Sequence, residues 1–144
     1  MRYSGVYIDT MGYELPEQVL TSAAIEEQLA EAYEKLGYSK EKLQALTGIK
    51  ERRIWPAGTL PSAIASKAAA KALAQSSVDK KDIDVVIHTG VCRDALEPST
   101  AHVVHANLEL GSQCLTFDIG NACLSFLNGL AVAANMIELG QIRN

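Results

Sequence analysis

Apolar and polar positions recur along the chain in two periods, and the switches between them lay out the elements. Residues Ser4 to Met11 alternate loosely around Val6, Tyr7 and Ile8 and predict a strand. Gly12-Tyr13-Glu14-Leu15-Pro16 predicts a turn or edge segment. Thr21 suits an N-cap, because Ser22 to Leu29 opens a helical period with acids in its early turns. That period extends to Leu36, with Gly37 as its stop. A second short helix is predicted from Ser39 to Leu46, capped by Ser39. The segment from Thr47 to Pro56 becomes extended, and Pro61-Ser62 opens an alanine-rich helix that runs to Ala74. Small residues at Ala65, Ala68, Ala69 and Ala72 permit that helix to pack closely on a sheet.

Beyond the polar loop Ser76 to Asp82, the β-branched run Asp84-Val85-Val86-Ile87-His88-Thr89-Gly90 predicts a buried strand. Val91 to Glu97 reads as a loop, and Pro98 as the first turn of a helix through Ala101, Val104, Leu108 and Leu110, ending at Gly111. Cys114 to Ile119 predicts a second buried strand, Gly120-Asn121 a tight turn, and Ala122 to Leu139 a long apolar helix. Leu124, Leu127, Leu130, Ala131, Ala134 and Ile137 cover too much of that helix for a surface position, so it is predicted to be central and mostly buried. Strands alternating with helices predict an α/β layered fold with a mostly parallel mixed sheet. A helix ending at Gly140 in this alternation calls for a further strand, so residues 1–144 read as the N-terminal half of a longer chain.

Composition narrows the classes. Hydrophobic residues make up 48% and charged residues 21%, which suits a soluble globular protein with a real core. A net charge of −4 argues against nucleic acid as the main partner. The one basic cluster, Lys50-Glu51-Arg52-Arg53, is short and mixed; a solvated face and an anion contact are both open there. Three cysteines without a CxxC pair suggest neither a disulfide framework nor a zinc site, and free thiols fit a cytoplasmic protein. The N-terminus carries no signal-peptide core. Ser125, Asn128, Asn135 and Glu138 place the last helix in protein rather than lipid, so no membrane span is expected.

Candidate chemistry gathers at Phe117 to Leu130. Cys123 falls at a strand-to-helix turn, on the first turn of the helix. The thiolate is the reactive form of cysteine, and a helix N-terminus lowers a thiol's pKa through its free N–H groups and positive dipole end. The same N–H groups can hold the oxyanion of a tetrahedral intermediate. The competing reading is a small buried cysteine that packs a core helix. His88 reads as a satisfied polar residue near a sheet end. His102 and His105 share a helix face but lack a third ligand at sensible spacing, so no metal is expected. Cys92 and Cys114 read as structural thiols, and Asp118 as a strand-end residue that bonds nearby backbone.

Three stretches together resemble the thiolase superfamily, specifically the β-ketoacyl-[acyl-carrier-protein] synthase III group. They are Thr47-Gly48-Ile49-Lys50-Glu51-Arg52, then Val91-Cys92-Arg93-Asp94-Ala95-Leu96-Glu97-Pro98-Ser99-Thr100-Ala101, and Phe117 to Leu130. Their order and spacing match the N-terminal half of such enzymes across nearly the whole chain. The second and third stretches look closest to OleA-type enzymes of head-to-head hydrocarbon synthesis. The resemblance implies a thiolase-like layered fold whose C-terminal half lies beyond residue 144, working as a homodimer. It implies an acyltransferase that performs Claisen condensation through an acyl-Cys123 intermediate, non-decarboxylative, with long-chain acyl-CoA. Glu97 then corresponds to a carboxylate that crosses the dimer interface and acts in trans as the base. Removal of an α-proton suits a desolvated carboxylate with a raised pKa. No bound cofactor is implied; acyl-CoA or acyl-carrier protein enters as substrate. Two other readings stand beside it: the synthase III that initiates fatty acid synthesis, and a non-catalytic module that uses the fold to dimerise. For Glu97 the plain alternative is a solvent-facing acid in a first helical turn. Lys42 and Leu46 occupy the places where initiating synthases hold a coenzyme A-contacting Trp and an Arg.

Overall fold

A computed structural model describes residues 2–144. They divide into two compact units: Leu15–Gly58, and residues 2–14 together with Thr59–Asn144.

In the smaller unit, β1 (Gln18–Thr21) pairs antiparallel with β2 (Glu51–Ile54), Gln18 opposite Ile54 and Thr21 opposite Glu51. Three helices lie between the strands: α1 (Ser22–Gln28), α2 (Ala30–Lys35) and α3 (Lys42–Thr47). The Thr21 hydroxyl accepts the Ala24 N–H at 3.1 Å, the cap expected at that position. The single helix expected to Leu36 is broken at Leu29, whose backbone leaves the helical region at φ −100°, ψ 13°. The next helix starts at Lys42, so Ser39 is not its cap. Its N-terminal donors are served from α1 instead. The buried Glu26 carboxylate accepts the N–H groups of Glu41 at 2.7 Å and Leu43 at 2.6 Å. A partner fifteen or more residues away leaves no local pattern to read.

In the larger unit, β3 (Val85–Thr89) and β4 (Leu115–Ile119) pair in parallel, Val85 opposite Leu115 and Thr89 opposite Ile119. Helices α4 (Pro61–Leu73) and α5 (Thr100–Leu108) pack on one face. Val104, Leu108 and Leu110 form the buried core there, against Ala65, Ala69, Leu73, Ile83, Val86 and Cys114. Helix α6 (Ser125–Glu138) lies on the other face, where a Cβ on Gly129 would overlap the Thr89 methyl and meet Ile87. Val86 thus faces one layer and its neighbour Ile87 the other, the two-residue period of a strand. Helix, sheet and helix layers give the α/β class expected.

Three expectations need correction. Residues 4–11 form no strand; Tyr7 is 81% exposed, and a strand needs a ladder partner that no described neighbour supplies. The segment is fixed by other means. Thr10 donates its hydroxyl to the Ala72 carbonyl at 3.0 Å, and Gly12 lies so close to α4 that a Cβ would overlap the Ala68 carbonyl. In place of one mixed sheet the described residues form two pairs, one antiparallel and one parallel. Helix α5 begins at Thr100 with Ser99 as its N-cap, so Pro98 precedes the helix. Helix α6 packs one side on this unit, and the burial expected of it is that of the assembled protein. Ser125, Gly129 and Ala134 are buried against the unit, whereas Phe126 and Leu127 are 61% and 60% exposed. A helix apolar on most sides needs two packing partners, and the described residues supply one.

Candidate active site

The parallel pair delivers β4 to a tight connection that ends in α6. After Ile119, Gly120 and Asn121 reverse the chain, and a single 3-10 turn, Ala122–Leu124, leads into α6. Cys123 is at the centre of that turn and exposed. The sequence placed it on the first helical turn; it is on the 3-10 turn just before, with the same outcome for access. Ala122, the residue before it, sits at φ +44°. An L-residue in that region costs about 1–3 kcal/mol and persists only where its surroundings fix it, and such positions gather at functional sites.

The surroundings do fix it. The Ser125 hydroxyl accepts the Asn121 N–H and donates to the Ala122 carbonyl, each at 2.8 Å. The Asn121 side chain donates to the Asn128 side-chain oxygen at 2.9 Å, one turn further along α6. Turn and helix are therefore tied at two levels.

Asp118 connects this turn to the loop that precedes α5. Its carboxylate accepts the N–H groups of Thr100 at 2.9 Å and Ala101 at 2.8 Å. It is the strand-end residue bonded to backbone that the sequence suggested, and an anion at a helix N-terminus is favourable. The loop Val91–Glu97 is pinned on its other side as well. Asp94 donates its N–H to the Thr100 hydroxyl at 3.2 Å, and its carboxylate accepts the Ser62 N–H at 2.9 Å at the start of α4. His88 bonds the Cys92 carbonyl through Nε2 at 3.1 Å, a satisfied histidine near a sheet end as expected. Between these anchors Arg93 reaches back, its Nη2 lying 3.6 Å from where a Gly120 Cβ would stand. A guanidinium therefore borders the turn that carries Cys123.

Glu97 is exposed in the same loop, beside Leu96 at 81% exposure. The structure brings the loop and the cysteine turn together through Asp118 but records no bond between Glu97 and Cys123. Cys92 is exposed, and Cys114 is half-buried, where burial and the Asp84 charge push its thiol up. His102 and His105 stack at 6.3 Å, and His105 Nε2 meets the Gly111 carbonyl at 3.0 Å. Among the described residues no group of three His, Cys, Asp or Glu is placed to hold a metal ion. No helix among them is long and apolar enough to cross a membrane. Sequence reading missed Ser125, Asp94 and Arg93. A serine four residues after a turn residue, able to bond back to it, was the available signal for Ser125.

Comparison with known proteins bears out the resemblance. No family model matches the chain. It is 45% identical over 143 residues to the acyl-CoA:acyl-CoA alkyltransferase of Shewanella oneidensis, covering 99% of this chain and 41% of that protein. It superposes on cerulenin-bound Xanthomonas campestris OleA with a TM-score of 0.91 at 40% identity, covering 97% of this chain and 41% of that one. The 3-oxoacyl-(acyl carrier protein) synthase III FabH of Xanthomonas oryzae gives a TM-score of 0.92 at 39% identity, over 99% of this chain and 42% of that one. The fold is therefore thiolase-like, and the chain spans about 41% of the length of the alkyltransferase it matches.

Proposed function

We propose that these residues are the nucleophile-bearing N-terminal half of an acyltransferase that joins two acyl thioesters head to head. The observation that carries this reading is an exposed Cys123 on a strained, braced strand-to-helix turn. Its fold is shared with OleA at a TM-score of 0.91.

In the first half-reaction the Cys123 thiolate attacks the carbonyl carbon of a long-chain acyl-CoA. The carbon–sulfur bond to coenzyme A breaks, coenzyme A leaves as its thiolate, and the acyl group stays on Sγ. In the second, a base takes an α-proton from another acyl-CoA. The resulting carbanion attacks the Cys123 thioester, the new carbon–carbon bond forms, and the Cys123 thiolate departs. The product is a β-ketoacyl thioester, and no carboxyl group is lost. Glu97 is the base in this reading, supplied in trans by the second copy of a two-fold dimer. An exposed loop that carries Leu96 and Glu97 outward supports that role. The protein is read as cytoplasmic, with acyl-CoA rather than carrier protein as its acyl source.

A second reading is the initiating synthase III, favoured by the likeness to the Xanthomonas oryzae enzyme. It would form its carbanion by loss of CO₂ from a malonyl group on carrier protein and would not need Glu97. Activity of a Glu97→Ala variant with two acyl-CoA substrates separates the two. Loss by about 10²-fold or more, the size of a general-base contribution, supports the alkyltransferase reading. Undiminished activity, or a requirement for malonyl thioester, supports the synthase.

A further inference from the structure

We propose that Ser125 is a positioning residue for Cys123, acting through the turn rather than on the substrate. This rests on Cys123 being the acylated nucleophile. Ser125 is 2% exposed, and its hydroxyl is bonded on both sides of the peptide that joins Asn121 to Ala122. It accepts from the N–H of one residue and donates to the carbonyl of the other. Those two residues set the direction in which the chain enters Cys123. Ala122 is held at φ +44°, a conformation that glycine would adopt without strain. The chain keeps a Cβ there and uses a buried hydroxyl from α6 to hold the shape.

The chemistry gives that hold a purpose. Cys123 Sγ must meet one thioester carbonyl carbon from the face of its plane, and then present its own thioester to a second substrate. Both steps depend on where the sulfur stands, and a misplacement of about 1 Å can cost about 10²-fold in rate. Without the hydroxyl, the Asn121 N–H loses its partner and Ala122 is free to leave the strained region. The sulfur remains exposed but is no longer fixed. A small alkylating reagent, which needs no oriented approach, should hardly notice the change.

The test uses the full-length protein in four forms: wild type, S125A, S125T and the double variant A122G/S125A. Acylation of Cys123 by palmitoyl-CoA and alkylation of Cys123 by iodoacetamide are both followed by peptide mass spectrometry. For S125A, acylation should slow about 10²-fold. Its Cys123 alkylation should stay within about threefold of wild type, since thiolate reactivity itself is kept. S125T, which keeps the hydroxyl, should acylate like wild type. A122G/S125A should regain at least about tenfold over S125A, because glycine takes the turn conformation without help. If S125A does not fold, the double variant carries the test, and its acylation at less than about a tenth of the wild-type rate overturns the proposal. Wild-type acylation by S125A, or no recovery on adding A122G, overturns it too. An acyl adduct that avoids Cys123 in the wild type overturns the nucleophile assignment and this proposal together. An adduct on Cys123 that is indifferent to S125A overturns the Ser125 role alone.

Discussion

The two faces of the β3–β4 pair are built to different ends. On the α4–α5 face, Val104, Leu108 and Leu110 are buried and the partly buried neighbours close around them. On the α6 face, Ser125, Gly129 and Ala134 are buried, Gly129 against Thr89 and Ile87, while Phe126, Leu127 and Leu130 remain open. The polar devices differ in the same way. Asp118 and Asp94 satisfy helix starts on the first face, whereas Ser125 and Asn128 spend their hydrogen bonds on a strained turn on the second. One face carries stability that these residues complete by themselves. The other presents Cys123 and leaves an apolar helix surface to be covered.

The largest expected effect concerns the chemistry of the second face. In a mixed dimer, one subunit carries Cys123→Ser and the other Glu97→Ala. With Glu97 acting in trans both lesions fall in one site, and about half of wild-type activity should survive, since the two-fold makes the exchange reciprocal. With Glu97 in cis, activity should vanish. Next comes packing. In the full-length protein Leu108→Ala should cost about 2–5 kcal/mol of unfolding free energy, as buried leucines do. If the rest of the protein covers α6, as the proposed N-terminal-half reading requires, Leu127→Ala should cost a similar amount. A cost within about 0.5 kcal/mol would mean that this face stays open and would break the contrast. Third, thiol alkylation at neutral pH should be slowest at Cys114, whose thiol burial pushes up, and fastest at Cys123.

The smallest effect is a pH dependence. The N–H groups of Arg143 and Asn144 hold the Asp84 carboxyl below its ordinary range. A depressed folded-state value contributes stability above the unfolded value, near about 3.9, and loses it as pH falls through the folded one. Melting temperatures at pH 6 and pH 3 should therefore differ slightly less in Asp84→Asn than in wild type.

Much of the first face was legible in the sequence. The β-branched run of β3, the alanine spacing of α4 and the strand before Gly120 are local patterns, and each appears where the periods place it. What was not legible depends on distant partners. Residues 4–11 alternate like a strand yet lack a ladder neighbour. The start of α3 is set by Glu26 from another helix. The composition of α6 demands cover on most sides, and these residues supply it on one. At the candidate site, the turn that carries Cys123 is legible in the sequence, and the structure places Cys123 on it, exposed. Ser125 was missed because its role exists only once the turn has closed.

The central claim is that Cys123 carries the acyl group. Full-length protein incubated with palmitoyl-CoA and digested at low pH should yield one acylated peptide, modified on Cys123, and Cys123→Ser should yield none. Acyl groups on Cys92 or Cys114, or no adduct in the active protein, would contradict the account.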